Sequence, residues 1–171
     1  QNQKIISNFP LLPKGPGFLI NTGGSSGKNY KCLHPCINLN KSAIASGHWL
    51  QSQGIEPAQS LFLNALPINH VSGLMLWWRS RYWRSEHHLI LPDLMRNPIA
   101  FEEYFEKFIN NNFKPIIISL VPTQLNRLIL SASGIRLLKS FSLIWVGGAP
   151  LSSELASQAR KESINISPCY G

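Results

Sequence analysis

The segment Thr22-Gly23-Gly24-Ser25-Ser26-Gly27-Lys28 gathers glycines, hydroxyls and one cation. Glycines let the backbone come close to an anion, hydroxyls donate hydrogen bonds, and the lysine adds charge. Together they are the means of wrapping a polyphosphate. The segment is not a Walker A loop, which needs glycine where Thr22 stands and Ser or Thr where Asn29 stands. The dinucleotide G-x-G-x-x-G pattern fails at Thr22 as well. A flexible Gly/Ser surface linker is the other reading. Against it stands the position of the loop, directly after the apolar run Phe18–Asn21 and ending in Lys28.

A second constellation lies further on. On a helix beginning near Val71, Ser72 and Arg79 are seven residues apart and share one face, about 10 Å from each other. Met75 and Leu76 lie between them, so an apolar wall carries a hydroxyl at one end and a guanidinium at the other. A fixed arginine is a bidentate partner for a carboxylate; an exposed helix arginine is the alternative. His70, just ahead, reads on its own as a histidine capping that helix.

Other groups invite chemistry less well. Trp77 to Arg84 alternates aromatics with arginines, as in nucleic-acid binding. A helix accounts for it better, with Leu74, Trp78 and Tyr82 packing inward at i, i+4, i+8 and Arg81 and Arg84 reaching outward. Cys32, His34 and Cys36 offer three zinc ligands where a structural site needs four, and Cys169 is remote in sequence, so packed thiols are expected. His87-His88 flanks a strand, and Glu102, Glu103 and Glu106 read as a solvated helix face.

These groups need a scaffold, and the composition provides for one. Of 171 residues, 14% are charged, against about 25% in an average domain, and 44% are apolar. That is enough apolar surface for a core and excludes intrinsic disorder. No apolar run reaches the ~18–20 residues of a membrane span, and no basic-then-apolar leader opens the chain. The net charge of +8 suits phosphate-bearing partners. Three cysteines are too few for a disulfide framework, so a reducing cytoplasm is expected.

Short apolar runs alternate with helical segments. Strands are expected at Phe18–Asn21, Leu61–Ala65, His88–Leu91, Ile116–Leu120, Leu143–Val146 and Ile164–Ser167. Helices are expected at Ile37–Gln51, Ser72–Arg84, Ala100–Asn110, Thr123–Ser131 and Ser152–Glu162. Pro98, Pro122 and Pro150 stand ahead of three of the helices as start signals. The strands show little polar alternation, as in a sheet buried on both faces. The fold class is therefore α/β, a mainly parallel sheet covered by helices. Ligands in such sheets sit at the carboxyl ends of the strands. The polar start, the Pro/Gly-rich stretch Pro10–Gly17 and the stop straight after a strand read as a piece of something longer. Residues 1–16 are taken as a linker or truncated segment and 17–171 as a partial domain.

Four segments in order resemble the acyl-adenylate-forming family, the acyl-CoA synthetases and luciferases. Residues 22–28 are similar to its phosphate-binding loop, and Leu66-Pro67-Ile68-Asn69-His70-Val71-Ser72-Gly73 to its LPLFHxxG segment. Val121-Pro122-Thr123-Gln124-Leu125 is similar to its VPT helix start. Val146-Gly147-Gly148-Ala149-Pro150-Leu151, with Tyr170-Gly171, resembles its adenine segment and the opening of its YGxTE motif. Within the family, the residues around 70–79 and 119–125 look most like the ligases that join o-succinylbenzoate to CoA in menaquinone or phylloquinone synthesis.

The resemblance implies two steps: a carboxylate attacks the α-phosphate of Mg·ATP, then CoA thiol displaces AMP. It implies that Thr22, Gly23, Gly24, Ser25, Ser26, Gly27 and Lys28 hold the β,γ-phosphates. Gly147, Gly148, Ala149, Tyr170 and Gly171 would form the adenine site. His70 would stand at the reacting carboxylate, with Ser72 and Arg79 binding the acid and Arg79 pairing with its non-reacting carboxylate. The implied cofactors are ATP, Mg²⁺ and CoA; no metal ligand is assigned in this chain, and self-association is left open. Departures are plain: Asn29-Tyr30 replaces the usual Pro-Lys, with Lys31 one place late, and His34 lies two places early. The Thr-Glu pair, the ribose aspartate and the small domain with its catalytic lysine are not in the sequence, so the piece alone is not expected to complete the reaction. A ligase for another aryl or fatty acid and an inactive nucleotide- or acyl-binding module are the alternatives.

Overall fold

The computed structural model describes residues 15–23, 29–109 and 114–169. Five parallel strands form the sheet: β3 (Leu61–Asn64), β4 (Glu86–Leu89), β5 (Ile116–Leu120), β6 (Leu143–Val146) and β7 (Ile166–Pro168), in the order β4-β3-β5-β6-β7. The fold is α/β, as expected. Strands β3, β5 and β6 are buried along their whole length, because helices cover both faces and leave no side for polar alternation.

Alternate side chains divide the core in two. Leu63, Ile118, Leu120, Ile144 and Val146 pack against α3 (Pro98–Phe108), α4 (Pro122–Ile129), α5 (Ala132–Ser140) and α6 (Ser153–Lys161). Phe62, Ile117, Leu143 and Trp145 point the other way. They meet Leu50 of α1 (Cys36–Ser52) and Leu76 and Trp83 of α2 (Val71–Trp83). Fully burying one such side chain is worth about 1.5–3 kcal/mol relative to leaving it in water, so the two clusters dominate the favourable side of folding.

Four expectations need correction. The run Phe18–Asn21 is a strand, but it does not join the parallel sheet. It lies within β1 (Gly17–Gly23), which pairs antiparallel with β2 (Asn29–Pro35) in a separate ribbon. Tyr82 is exposed; α2 turns Leu74 and Trp78 toward the ribbon and α1, and Leu76 and Trp83 toward the sheet, and Tyr82 lies on neither side. Cys32 is exposed on β2 rather than packed, and Cys36 is half-buried. Glu102 is not simply solvated, since Arg136 donates to both its carboxylate oxygens at 2.6 and 2.8 Å, bracing α5 on α3. Glu103 and Glu106 are exposed as expected.

Candidate functional site

The carboxyl ends of β3, β5, β6 and β7 open on one side of the sheet, and the four loops that follow them are tied together there. Gln124 reaches back within its own helix start, its Oε1 accepting from Val121 N at 3.0 Å. Its Nε2 donates to Ala65 O at 3.3 Å, which joins the loop after β5 to the loop after β3. Gly147 N donates to Leu120 O, and Cys169 N to Val146 O, so the loops after β6 and β7 continue the ladder.

The turn leading to His70 is held from below. Asn64 is almost fully buried; its Nδ2 donates to Gly73 O at 3.0 Å and its Oδ1 accepts from Leu66 N at 3.2 Å. Gly73 sits so close to this turn that a Cβ there would lie 2.2 Å from Pro67 O and 2.6 Å from Leu66 O. Only glycine lets α2 start against the Leu66–Pro67 backbone. His70 takes the N-cap position of α2, yet its side chain makes no capping hydrogen bond and is exposed. It lines a cavity of about 400 Å³ with Ile68, Asn69 and Leu74 on one side and Phe18 to Asn21 of β1 on the other.

A row of residues crosses the sheet beneath α2. Asn64 is in register with Ser119, Ser119 with Trp145, and Trp145 with Ser167. The shared register and the alternation of each strand put this row on the α2 face. It sets polar groups and one indole into the sheet, just short of the strand ends where α/β sheets bind ligands.

Arg79 descends from α2 onto that row. Its guanidinium carbon lies 5.5 Å from the centre of the Trp145 ring, and Nη2 donates to Ser42 Oγ of α1 at 3.0 Å. The half-buried side chain excludes the exposed-arginine reading. Ser72, half-buried, shares this side of the helix, as the seven-residue spacing predicts. Nε of Arg79 is buried with no hydrogen-bond partner among the described residues, and none of the ion pairs there uses Arg79. Burial pulls its pKa below the usual arginine value, and the neighbouring Cys169 thiol acts in the opposite direction. Burial in turn pushes the Cys169 thiol up, with the Arg79 charge opposing.

The adenine candidates fall in the loop after β6. Gly147 packs on Cys169, whose Cβ would be 3.3 Å from a Cβ at 147. Gly148 has φ +80, a left-handed conformation that favours glycine, with Val121 Cγ1 3.3 Å from where a Cβ would stand. Ala149 is exposed. Thr22 and Gly23 end β1. Gly24, Ser25, Ser26, Gly27, Lys28, Tyr170 and Gly171 lie outside the described residues. The structure thus gathers His70 with the ribbon, and Arg79 with Trp145, Ser42 and Cys169. Residues 70 and 79 start about 13 Å apart along the helix axis. Sequence reasoning missed Ser42 and Trp145. Ser42 carries no local signal, being 37 residues from its partner. Trp145, an aromatic inside an aliphatic strand, could have been noticed.

Among the described residues, no three His, Cys, Asp or Glu side chains converge on a point that could hold a metal, and no helix is long and apolar enough to cross a membrane.

The model of the AMP-binding enzyme family matches residues 7–171. This chain belongs to the AMP-binding enzyme family. No curated protein matches it. Solved structures do. One is an acyl-CoA synthetase (AMP-forming)/AMP-acid ligase II-like protein from Dyadobacter fermentans, 19% identical with a TM-score of 0.69, over 99% of this chain and 43% of that one. Another is a double mutant of the o-succinylbenzoate CoA synthetase of Bacillus subtilis, bound with the product analogue OSB-NCoA, 25% identical with a TM-score of 0.65, over 88% and 29%. The third is ATP-bound MatB from Rhodopseudomonas palustris, 20% identical with a TM-score of 0.67, over 90% and 28%. The chain therefore spans between 28% and 43% of the length of these structures. In this chain the His70 turn carries the second sequence segment, the loops after β5 and β6 carry the third and the start of the fourth, and the first begins at the end of β1.

Proposed function

We propose that this chain is part of the large domain of an adenylate-forming acid–CoA ligase whose acid is o-succinylbenzoate. The observation that carries the acid is Arg79, a half-buried cation with no carboxylate partner among the described residues, set against Trp145 in the row Ser119–Trp145–Ser167. Buried charges are normally paired, so an anionic group of a ligand is the natural partner. A dicarboxylic aromatic acid supplies both that anion and a ring for the apolar wall. The similarity to a synthetase solved with a product analogue of o-succinylbenzoate and CoA supports the same reading.

In this proposal a carboxylate oxygen of the acid attacks the α-phosphorus of ATP, and the bond to the pyrophosphate oxygen breaks. CoA thiolate then attacks the acyl carbon and expels AMP, leaving the thioester. Residues Thr22 to Lys28, of which Thr22 and Gly23 end β1, hold the β,γ-phosphates. Gly147, Gly148, Ala149, Tyr170 and Gly171 receive the adenine. His70, free of any capping bond, stands at the reacting carboxylate, and Ser72 and Arg79 hold the rest of the acid. Mg²⁺ brought with ATP would neutralise phosphate charge, and no described residue of this chain is assigned to hold it. The reaction belongs to a reducing cytoplasm.

Formation of the CoA thioester by the full-length protein, followed by mass spectrometry over an acid panel, tests the reading. Product from o-succinylbenzoate and little from benzoate or a medium-chain fatty acid is the expected result. Product from another acid keeps the ligase and discards the substrate. No product from any acid favours an inactive binding module, which the Asn29-Tyr30-Lys31 departure would suit.

A further inference from the structure

Arg79 does not hold itself in place. Its Nη2 donates to Ser42 Oγ from the neighbouring helix α1, and its guanidinium carbon lies 5.5 Å from the centre of the Trp145 indole. Trp145 is buried and stacks on Phe62, their ring centres 6.2 Å apart, and Phe62 packs in turn on Trp83 of α2. The indole is thus fixed by the core, and the hydroxyl by a helix packed against α2. Two of the handles of the guanidinium are occupied by groups without charge, while Nε is buried and has no partner among the described residues. A neutral hydroxyl and a π face orient a cation without neutralising it.

We propose that Ser42 and Trp145 are positioning residues that fix the Arg79 guanidinium, so that the site selects acids carrying a second carboxylate; this rests on the ligase reading. The selection follows from the charge balance. An acid with one carboxylate spends it at the reacting centre and leaves Arg79 buried and uncompensated. An acid with two brings the missing anion, and pays little to order a guanidinium that is already held. Ser42 touches neither reacting atom nor nucleotide in this arrangement, so its effect is confined to how well the second carboxylate is gripped.

The test is Ser42→Ala in the full-length protein. Ser42 lies within α1, where alanine is the better helix former, so folding is not compromised. ATP–pyrophosphate exchange is measured with o-succinylbenzoate, and with 3-benzoylpropionate and 2-butyrylbenzoate, which each lack one of its carboxylates, taken as substrates or as competitors. The expected result is a rise of about tenfold in KM for the diacid with kcat nearly unchanged. The monoacid that lacks the carboxylate held by Arg79 keeps its parent constants, the one that retains it weakens together with the diacid, and Ser42→Thr, which keeps the hydroxyl, restores the parent KM. An equal change for all three acids, no change for the diacid, or a fall in kcat at constant KM overturns the proposal. Absence of exchange by the unsubstituted protein with every acid would overturn the ligase reading itself, an outcome distinct from exchange that ignores Ser42.

Discussion

Replacing Gly73 by alanine tests the account of how the His70 turn is built, because two effects of opposite sign compete there. Within a helix, Gly→Ala normally stabilises by about 1 kcal/mol. Here the new Cβ would sit 2.2 Å from Pro67 O, 2.5 Å from Pro67 C and 2.6 Å from Leu66 O, all backbone atoms that cannot rotate away. Ordinary separation requires α2 to retreat by about 1 Å, which strains the Asn64 bond to Gly73 O and moves His70 away from β1. Overpacking of this kind costs about 1–3 kcal/mol. Contact with fixed backbone puts Gly73→Ala at the upper end, so a net loss of about 2 kcal/mol is expected. Spread over a full-length protein of the size of the similar structures, of which this chain spans 28–43%, that is a fall of roughly 1–3 °C in Tm. Thermal unfolding of the full-length protein followed by circular dichroism reads the stability, and acid-dependent exchange reads the site. A variant as stable as the parent or more so would refute the argument, since it would show that the turn and the helix are not in contact.

Two further perturbations follow from the same geometry. Asn64→Ala leaves Leu66 N–H buried without its partner and opens a small void, and should cost about 2 kcal/mol in urea unfolding; an unchanged midpoint would mean that the turn does not depend on Asn64. His87 is held below its ordinary pKa of 6.5 by burial, then by His88 and Arg81, and His88 by burial. Their contribution is therefore complete above about pH 6.5 and is lost as pH falls toward their folded values, where the unfolded chain binds protons that the folded chain refuses. The urea midpoint should drop between pH 7.5 and 5.5, and His87→Gln should flatten that drop.

Much of the scaffold was readable because buried parallel strands leave a strong signal. Ile116–Leu120 and Leu143–Val146 match β5 and β6 residue for residue, since both are apolar runs bounded by turns. What failed was less apolar. Strand β2 mixes Asn29, Tyr30, Lys31 and His34 and is stabilised by its register with β1, which no local pattern announces. One helix is expected at Thr123–Ser131 and none between it and Leu143, whereas α4 ends at Ile129 and α5 follows at Ala132, with Ser131 Oγ accepting from Gly134 N as its N-cap. Gly134 is tolerated there because a Cβ would strike Leu128 O at 2.0 Å, a tertiary reason invisible in sequence. Strand β4 starts at Glu86, two residues before the expected His88, because pairing with Leu61 to Asn64 sets its register. In the site, the Ser72–Arg79 spacing was legible from helix geometry alone. The partners of Arg79 were not, because Ser42 and Trp145 reach it only through packing.

The most direct test of the central claim is ATP–pyrophosphate exchange by the full-length protein with o-succinylbenzoate as the acid. The account predicts exchange that depends on that acid and a large rise in its KM in Arg79→Ala, with little change in the KM for ATP. Exchange that is indifferent to Arg79, or that runs only with acids bearing a single carboxylate, would contradict it.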